Sequence, residues 1–269
     1  MDGSPRNARN AIGRGVRWFV AGVIAAGVGI TGACSDINTD PKAVAAIAFD
    51  SVASPSIVAG DTLRDSLGVV RRLHATAYNL QGAALTGVPV RFRSPDRRVV
   101  VDSVTGIVTA DSVRPTPVRI VAQAAGLQTA PDSLYVIPSP DSVIVTTARD
   151  SLLYSLRDTT PVVSSALSVR VVHLTAPTTL DAVQHYLVSY SIRYPADTLL
   201  VQLVGDDATR RSRIDTTDAD GNAGRRIRLR PLRIMSQTDS VVVFATVRYR
   251  GLPLAGSPVR FVLQVKPRP

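Results

Sequence analysis

Apolar and polar residues alternate with a period of two along much of the chain. The alternation is clearest over residues 73–78, 118–122, 188–194, 243–249 and 259–265. It predicts strands with one apolar and one polar face, which are typical of antiparallel sheets that face solvent on one side. No stretch after residue 43 shows the 3.6-residue period of a helix. In segment 188–194 the predicted apolar face holds Val188, Tyr190, Ile192 and Tyr194.

Turn-forming residues divide the strand pattern into two parts. Pro138-Ser139-Pro140-Asp141 interrupts it, and the segments on either side have the size of immunoglobulin-like domains. An apolar share of 45% is enough for each segment to bury a core. The sequence therefore predicts an all-β protein of two tandem immunoglobulin-like antiparallel β-sandwiches, at 44–137 and 142–269, with a linker at 138–141.

The first 33 residues have the pattern of an export signal. Arg6, Arg9, Arg14 and Arg17 precede an uncharged stretch that begins at Trp18, and small residues follow. A basic region, a short apolar region and small residues before a cut define a secretory signal. The apolar stretch is shorter than the roughly 20 residues that span a bilayer as a helix. We therefore expect a cleaved signal peptide. The alternatives are an uncut N-terminal anchor or, if Cys34 is only an incidental thiol, an ordinary secretory signal.

The end of this segment resembles a known processing motif. Thr31-Gly32-Ala33-Cys34 resembles the lipobox of bacterial lipoproteins, although Thr31 stands where Leu is usual. The resemblance implies cleavage before Cys34, the only cysteine, and its lipidation, so that residues 34–43 would be a lipidated tether to the membrane. Ser35, rather than Asp, follows the cysteine. By the rule of that family this implies the outer membrane, with the periplasmic or surface face left open.

Each sandwich segment also resembles a family of bacterial modules. The turn 102–110, followed by the strand 118–122, resembles the bacterial Ig-like domain of group 2 over about 44–137. The turn 217–223, which reads TDADGNA, is similar to the invasin-type group 1 domain, although the rest of that segment lacks the landmarks of the family. Both resemblances imply non-catalytic modules of envelope, adhesion and secreted proteins.

Several classes of enzyme site are missing from the sequence. The chain contains no Glu, which excludes a His-Glu-x-x-His zinc site and any acid/base pair built on Glu. It contains no Gly-x-Ser-x-Gly elbow. His74, His173 and His185 are not at metal-ligand spacing. We therefore expect neither an enzyme nor a cofactor, although sequence alone does not exclude a Ser–His–Asp triad.

Three carboxylates are close together in one predicted turn. Asp215, Asp218 and Asp220 come before Gly221 and Asn222, and calcium prefers such oxygen ligands. The bidentate Glu that closes an EF-type loop is absent. The segment is thus a weak calcium candidate, and the alternative is a hairpin turn whose Asp, Gly and Asn residues supply the backbone conformation.

Arginines dominate the segment from Arg210 to Arg233, in a chain of net charge +10. On a strand, Arg226, Arg228 and Arg230 would share one face. Guanidinium groups bind phosphate or carboxylate through paired hydrogen bonds, so lipopolysaccharide phosphates or acidic glycans are conceivable ligands. The alternative is a solvated strand face that discourages edge pairing. The anion-binding candidates are Arg225, Arg226, Arg228 and Arg230.

Together these features predict a non-enzymatic, membrane-anchored envelope lipoprotein. It would display its Ig-like modules for structural or adhesive contact with a surface protein or glycan. The alternative function is binding of anionic surface polymers through the Arg210–Arg233 patch. Nucleic acid is not an expected partner, because the chain is predicted to be exported and no aromatic residues interleave the arginines.

Overall fold

The computed structural model of the chain describes residues 40, 42–146, 151–155, 160–195, 200–230 and 240–267. Residues 39–269 form one compact unit. Within the described ranges every regular element is a strand, and no helix there is long and apolar enough to cross a membrane. The predicted all-β class is confirmed. The predicted signal peptide and Cys34 lie outside the described residues.

The N-terminal sandwich comprises strands β1 to β10. The strands are β1 (Ala46–Phe49), β2 (Ser56–Val58), β3 (Ala75–Tyr78), β4 (Ala84–Leu85), β5 (Arg91–Arg93), β6 (Val99–Val101), β7 (Val108–Ala110), β8 (Val118–Ala124), β9 (Leu127–Gln128) and β10 (Asp132–Ile137). One sheet has the order β1-β3-β4, and the other has the order β2-β10-β8-β5, with β9 paired to β8. Strands β6 and β7 form a separate hairpin.

The C-terminal sandwich comprises strands β11 to β23. The strands are β11 (Ser142–Val145), β12 (Ser151–Tyr154), β13 (Val162–Val163), β14 (Leu167–Ala176), β15 (Thr179–Ala182), β16 (Leu187–Tyr194), β17 (Val201–Val204), β18 (Ile214–Thr216), β19 (Asn222–Leu229), β20 (Ser240–Thr246), β21 (Arg248–Tyr249), β22 (Leu252–Pro253) and β23 (Val259–Pro267). One sheet has the order β11-β14-β19-β13, with β15 paired to β14 and β17 to β19. The other has the order β12-β23-β20-β16-β18.

Between the described strands, pairing is antiparallel except at two pairs, which corrects the purely antiparallel expectation. Strand β2 runs parallel to β10, and β12 runs parallel to β23. In each sandwich the first strand is split, so β1 and β2 belong to different sheets, as do β11 and β12. After the switch, the second half lies beside the last strand of its sandwich. The two strands of each such pair run parallel. The long stretch of chain between them provides the connection that parallel partners require.

Each sandwich has its own apolar core. The N-terminal core includes Leu63, Ile120 and Leu134, each 0% exposed, and the predicted face of 118–122 points into it. The C-terminal core is larger and includes Tyr190 and Ile227. Side chains from both sheets of each sandwich meet in its core, because alternate residues of a strand point to opposite faces.

One predicted strand face is wrong at its end. Val188 and Tyr190 are buried as predicted, but Tyr194 is 48% exposed. The register of β16 against β20 shifts between Ile192 and Tyr194. Such a β-bulge inserts one extra residue, so every later side chain turns to the opposite face.

Candidate functional site

The predicted calcium turn joins β18 to β19 and is closed by its own side chains. Asp218 Oδ1 accepts the backbone N–H groups of Asp220 and Asn222, each at 2.9 Å. Gly221 has a φ of +77° and donates its N–H to the Asp218 carbonyl. These bonds are those of a hairpin turn, the alternative drawn from the sequence. Calcium binding at this turn stays an untested alternative to the hairpin turn.

Asp215 and Arg225 form an ion pair below that turn. Arg225 is only 7% exposed, since it points to the inward side of β19. Its Nη1 lies 2.7 Å from Asp215 Oδ1, and Asp215 Oδ2 accepts the Gly224 N–H at 2.7 Å. A predicted anion-binding cation and a predicted calcium ligand therefore neutralise each other. Among the described residues, no group of three or more His, Cys, Asp or Glu could hold a metal ion.

Arg226 and Arg228 lie on the outward face of β19, and both are half-buried. Strand β17 runs beside them, with Gln202 opposite Arg228 and Val204 opposite Arg226. Arg228 Nη2 donates to Gln202 Oε1 at 2.7 Å. In the described part of the chain, neither arginine forms an ion pair with a carboxylate. Their charge is therefore not neutralised there.

The other arginines of the patch that the structure describes are exposed. Arg210, Arg211 and Arg213 follow β17, and Arg230 directly follows β19. None of the four is in an ion pair between described residues. The structure thus brings most of the predicted arginines to one region around β17 and β19 and removes Arg225 to the interior. Arg233 lies outside the described residues.

The three histidines have separate partners. His74 contacts Asp50, and hydrogen bonds from His74 and Thr76 hold the pKa of that carboxyl below its usual range. His173 Nδ1 lies 2.8 Å from Asp141 Oδ2. His185 packs between the two sandwiches.

A cluster of charged residues joins the two sandwiches. Asp61, from the N-terminal sandwich, is 6% exposed. Arg64 donates to both of its oxygens at 3.0 Å, and Arg250 from the C-terminal sandwich donates Nε to Oδ2 at 2.9 Å. Burial alone raises the pKa of Asp61, but the hydrogen bonds from Arg64 and Arg250 outweigh it and hold the pKa well below its usual range. Asp61 therefore stays ionised between two guanidinium groups.

Aromatic and backbone contacts lie beside this cluster. The ring of His185 stacks on that of Tyr135, with centroids 3.6 Å apart and planes at 10°. Ser56 Oγ donates to the His185 carbonyl at 2.7 Å. Burial lowers the pKa of His185, so its ring is neutral at pH 7 and can pack against the phenol ring without desolvating a charge.

Apolar and glycine contacts complete the junction. Val58 and Ile137, at the ends of β2 and β10, are buried in the core of the C-terminal sandwich. Gly68 has a φ of +79°, and a Cβ added to it would lie 2.3 Å from the backbone nitrogen of Gly251. The two backbones are therefore in direct contact. We call this whole set of contacts the junction.

Sequence reasoning did not find the junction. Asp61 lies between Gly60 and Thr62 and belongs to none of the motifs described for the sequence. A lone Asp near buried positions such as Val58 and Leu63 signals that a cationic partner is needed. The sequence does not identify Arg250 as that partner, because 189 residues separate the two.

Neither a protein-family model nor a curated protein sequence matches this chain. Solved structures resemble it weakly. The S-layer protein rSbsC(31-844) is 11% identical, with a TM-score of 0.29, over 82% of this chain and 28% of that one. The Yersinia pseudotuberculosis adhesin InvE is 16% identical, with a TM-score of 0.31, over 81% and 58%. Zebrafish RET cadherin-like domains 1 to 4 are 12% identical, with a TM-score of 0.30, over 88% and 51%.

The chain thus spans about a quarter of the S-layer protein and just over half of the adhesin. Identities and TM-scores this low identify neither a family nor a function. Function is therefore inferred from the chain's own residues.

Proposed function

We propose that this chain is a non-enzymatic, lipid-anchored envelope protein that displays two Ig-like sandwiches for structural or adhesive contact. The observation that supports this most is the junction. Ion pairs at Asp61, ring stacking at His185 and apolar burial at Val58 and Ile137 all join the two sandwiches. A stiff pair of this kind is suited to presenting a contact surface at a defined place relative to its anchor.

The mechanism is mechanical display. Acyl chains on Cys34 insert into the membrane and anchor the chain there. More than one chain is needed, since a single lipid chain does not anchor a protein stably. Residues 35–43 are the tether. Loops at the ends of the sandwiches offer the surface that meets another protein or a glycan. The proposed location is the outer membrane.

The anchor is tested by metabolic labelling with an alkyne analogue of palmitate in a host that acylates lipoproteins. The wild-type chain should carry label and appear in the membrane fraction, whereas Cys34→Ser should carry none. Ser35→Ala, beside the acylated position, should keep the label. Equal labelling of wild type and Cys34→Ser, or no label in either, would remove the anchor from the proposal.

The contact role is tested on the same cells in a flow chamber. Cells that display the anchored chain should resist detachment from a surface or from one another more than cells producing Cys34→Ser at the same level. Equal resistance would contradict a structural or adhesive role and leave only the anchoring.

A second candidate is binding of anionic surface polymers by the arginines around β17 and β19. The observation that favours it is the lack of a carboxylate partner for Arg226 and Arg228 among the described residues. Retention on anionic glycan beads should fall steeply with salt, because exposed charges are screened over about 10 Å at 0.1 M. Arg226→Asp with Arg228→Asp should abolish retention, and the exposed Arg230→Asp should weaken it without a burden on folding. Unchanged retention of these variants would exclude this function.

A further inference from the structure

An open cavity of about 340 Å³ lies on the N-terminal sandwich, beside the paired strands β5 and β8. Its volume is at the lower end of the range of about 300–1,000 Å³ that is usual for small-molecule sites. Its lining comes from Pro89 and Arg91 on one side and from residues 123–127, which include the β8–β9 turn, on the other. All of these residues belong to the described part of the chain. Their own side chains therefore determine what the cavity can hold.

Arg91 and Gln123 share the outward face of this sheet. They lie directly opposite one another in the register of β5 against β8, and their neighbours Phe92 and Ala122 are buried in the core. Because alternate residues of a strand point to opposite faces, Arg91 and Gln123 point away from the core. Both line the cavity. A guanidinium group and an amide group are thus placed side by side at one opening.

Arg91 is an exposed cation without a counterion. It forms no ion pair between described residues, and neither does Arg93, which lies two residues further along the same outward face. A guanidinium group binds carboxylate or phosphate through paired, charge-assisted hydrogen bonds. The charge on this face therefore complements an anionic ligand.

A chain of hydrogen bonds fixes the orientation of the Gln123 amide. Arg93 Nη2 donates to Gln128 Oε1 at 3.0 Å, and Gln123 Nε2 donates to the same oxygen at 2.9 Å. Since a guanidinium group can only donate, Gln128 must present its oxygen to this contact, and Gln123 must present its nitrogen. Gln123 Oε1 is therefore left to accept a hydrogen bond from a ligand donor such as a hydroxyl group.

The turn at the end of the cavity has an unexpected residue. Ala125 and Gly126 form a two-residue turn between the paired residues Ala124 and Leu127, and their φ angles are +49° and +81°. A hairpin turn with two positive φ angles favours Asn, Asp or Gly at its first central position. The side chain of Ala125 is only a methyl group, so the cavity that it lines stays open. The chain thus has a less favourable turn residue at a place where a larger one would fill the cavity.

We infer that this cavity binds one anionic sugar unit of a surface glycan. The carboxylate or phosphate of the sugar lies on Arg91, and a sugar hydroxyl donates to Gln123 Oε1. An open cavity suits such a hydrophilic ligand, and a free cation beside an oriented acceptor matches its two kinds of polar group. The inference rests on the proposed contact with a glycan and names the place of that contact. It needs neither the lipid anchor nor the arginines around β17 and β19.

The site is tested by nuclear magnetic resonance titration of residues 39–269, which form a compact unit by themselves. Trigalacturonate should bind about tenfold more tightly than its methyl ester, which has the same sugar rings without the charge. Galacturonate and galactose 6-phosphate, compared as single sugars, identify whether carboxylate or phosphate is preferred. Equal affinity for the methyl ester, or no binding of any acidic sugar, would overturn the inference. The flow-chamber test uses no sugar, so this site can fail while the proposed contact role stands.

Variants locate the binding. Arg91→Gln should weaken it about tenfold. Arg72→Gln removes the same charge from an exposed arginine of this sandwich that does not line the cavity, so it should bind as wild type. Ala125→Asn should weaken binding by filling the cavity and yet raise the unfolding temperature, because Asn suits the turn. Equal weakening by Arg72→Gln would indicate a general charge effect and contradict the site, and unchanged binding of Ala125→Asn would contradict the cavity.

Discussion

Gly68→Ala tests whether the junction is packed as tightly as the structure indicates. Gly68 has a positive φ of +79°, and an added Cβ would lie 2.3 Å from the nitrogen and 3.0 Å from the Cα of Gly251. Both atoms are backbone, so a side-chain rotation cannot relieve the overlap. The two sandwiches would have to separate locally or the turn at Gly251 would have to move.

The magnitude can be divided with a matched control. A non-glycine residue at positive φ costs about 1–2 kcal/mol, and overpacking a close contact costs about 1–3 kcal/mol more. Gly82 has a φ of +76° and no atom within 4 Å of an added Cβ. Gly82→Ala should therefore lower the free energy of unfolding only by the backbone penalty of about 1–2 kcal/mol. Gly68→Ala should lower it by about 2–5 kcal/mol, because it adds the overpacking penalty.

The assay is urea unfolding of residues 39–269 followed by far-ultraviolet circular dichroism, supported by thermal unfolding. For a chain of this size, each kcal/mol shifts the midpoint temperature by about 2–4 °C. The difference between the two variants isolates the contact with Gly251, since the backbone penalty is common to both. Equal losses in Gly68→Ala and Gly82→Ala would refute the close approach at the junction.

Three further predictions concern the carboxylates. Asp61→Asn should lower the free energy of unfolding by about 2–3 kcal/mol in urea titrations, because Arg64 is left partly buried without its anion. Arg250→Ala should lower it by less than about 1 kcal/mol, because Arg250 is mostly exposed. Because the folded-state pKa of Asp61 lies below its ordinary 3.8, its contribution is present above that pH and is lost as pH falls below it. Acid titration of wild type should therefore be steeper below pH 3.8 than that of Asp61→Asn, and parallel curves would contradict this. Millimolar calcium should leave the midpoint temperature of wild type and Asp218→Asn unchanged, since Asp218 already accepts backbone N–H groups; a calcium-dependent rise in wild type alone would establish the calcium site instead.

The strands were predictable because their determinants are local. Alternation at 118–122 follows from the pleat of a strand with one buried face, and Val118 and Ile120 are 0% exposed. Tyr194 was misplaced because a β-bulge depends on the pairing with β20, which leaves no mark in the sequence of β16. The parallel pairs were missed for the same reason, since strand partners are set by tertiary packing.

The candidate site was only partly predictable. The outward face of Arg226 and Arg228 follows from the period of two. The same parity places Arg225 beside Ile227 on the inward face, so its need for an anion could have been inferred, although the choice of Asp215 could not. The junction of Asp61 with Arg250 joins distant parts of the chain and has no local signature.

The most direct test of the account is whether the two sandwiches move as one body. Spin labels at Val100→Cys and Val262→Cys, in residues 39–269, place one label on each sandwich at exposed positions, and the chain there has no other cysteine. A second pair, Val100→Cys with Leu127→Cys, lies within the N-terminal sandwich and measures the width due to the labels. Double electron–electron resonance should give a single distance distribution across the junction as narrow as this control. A distribution much broader than the control would contradict a stiff junction and, with it, display by a rigid pair.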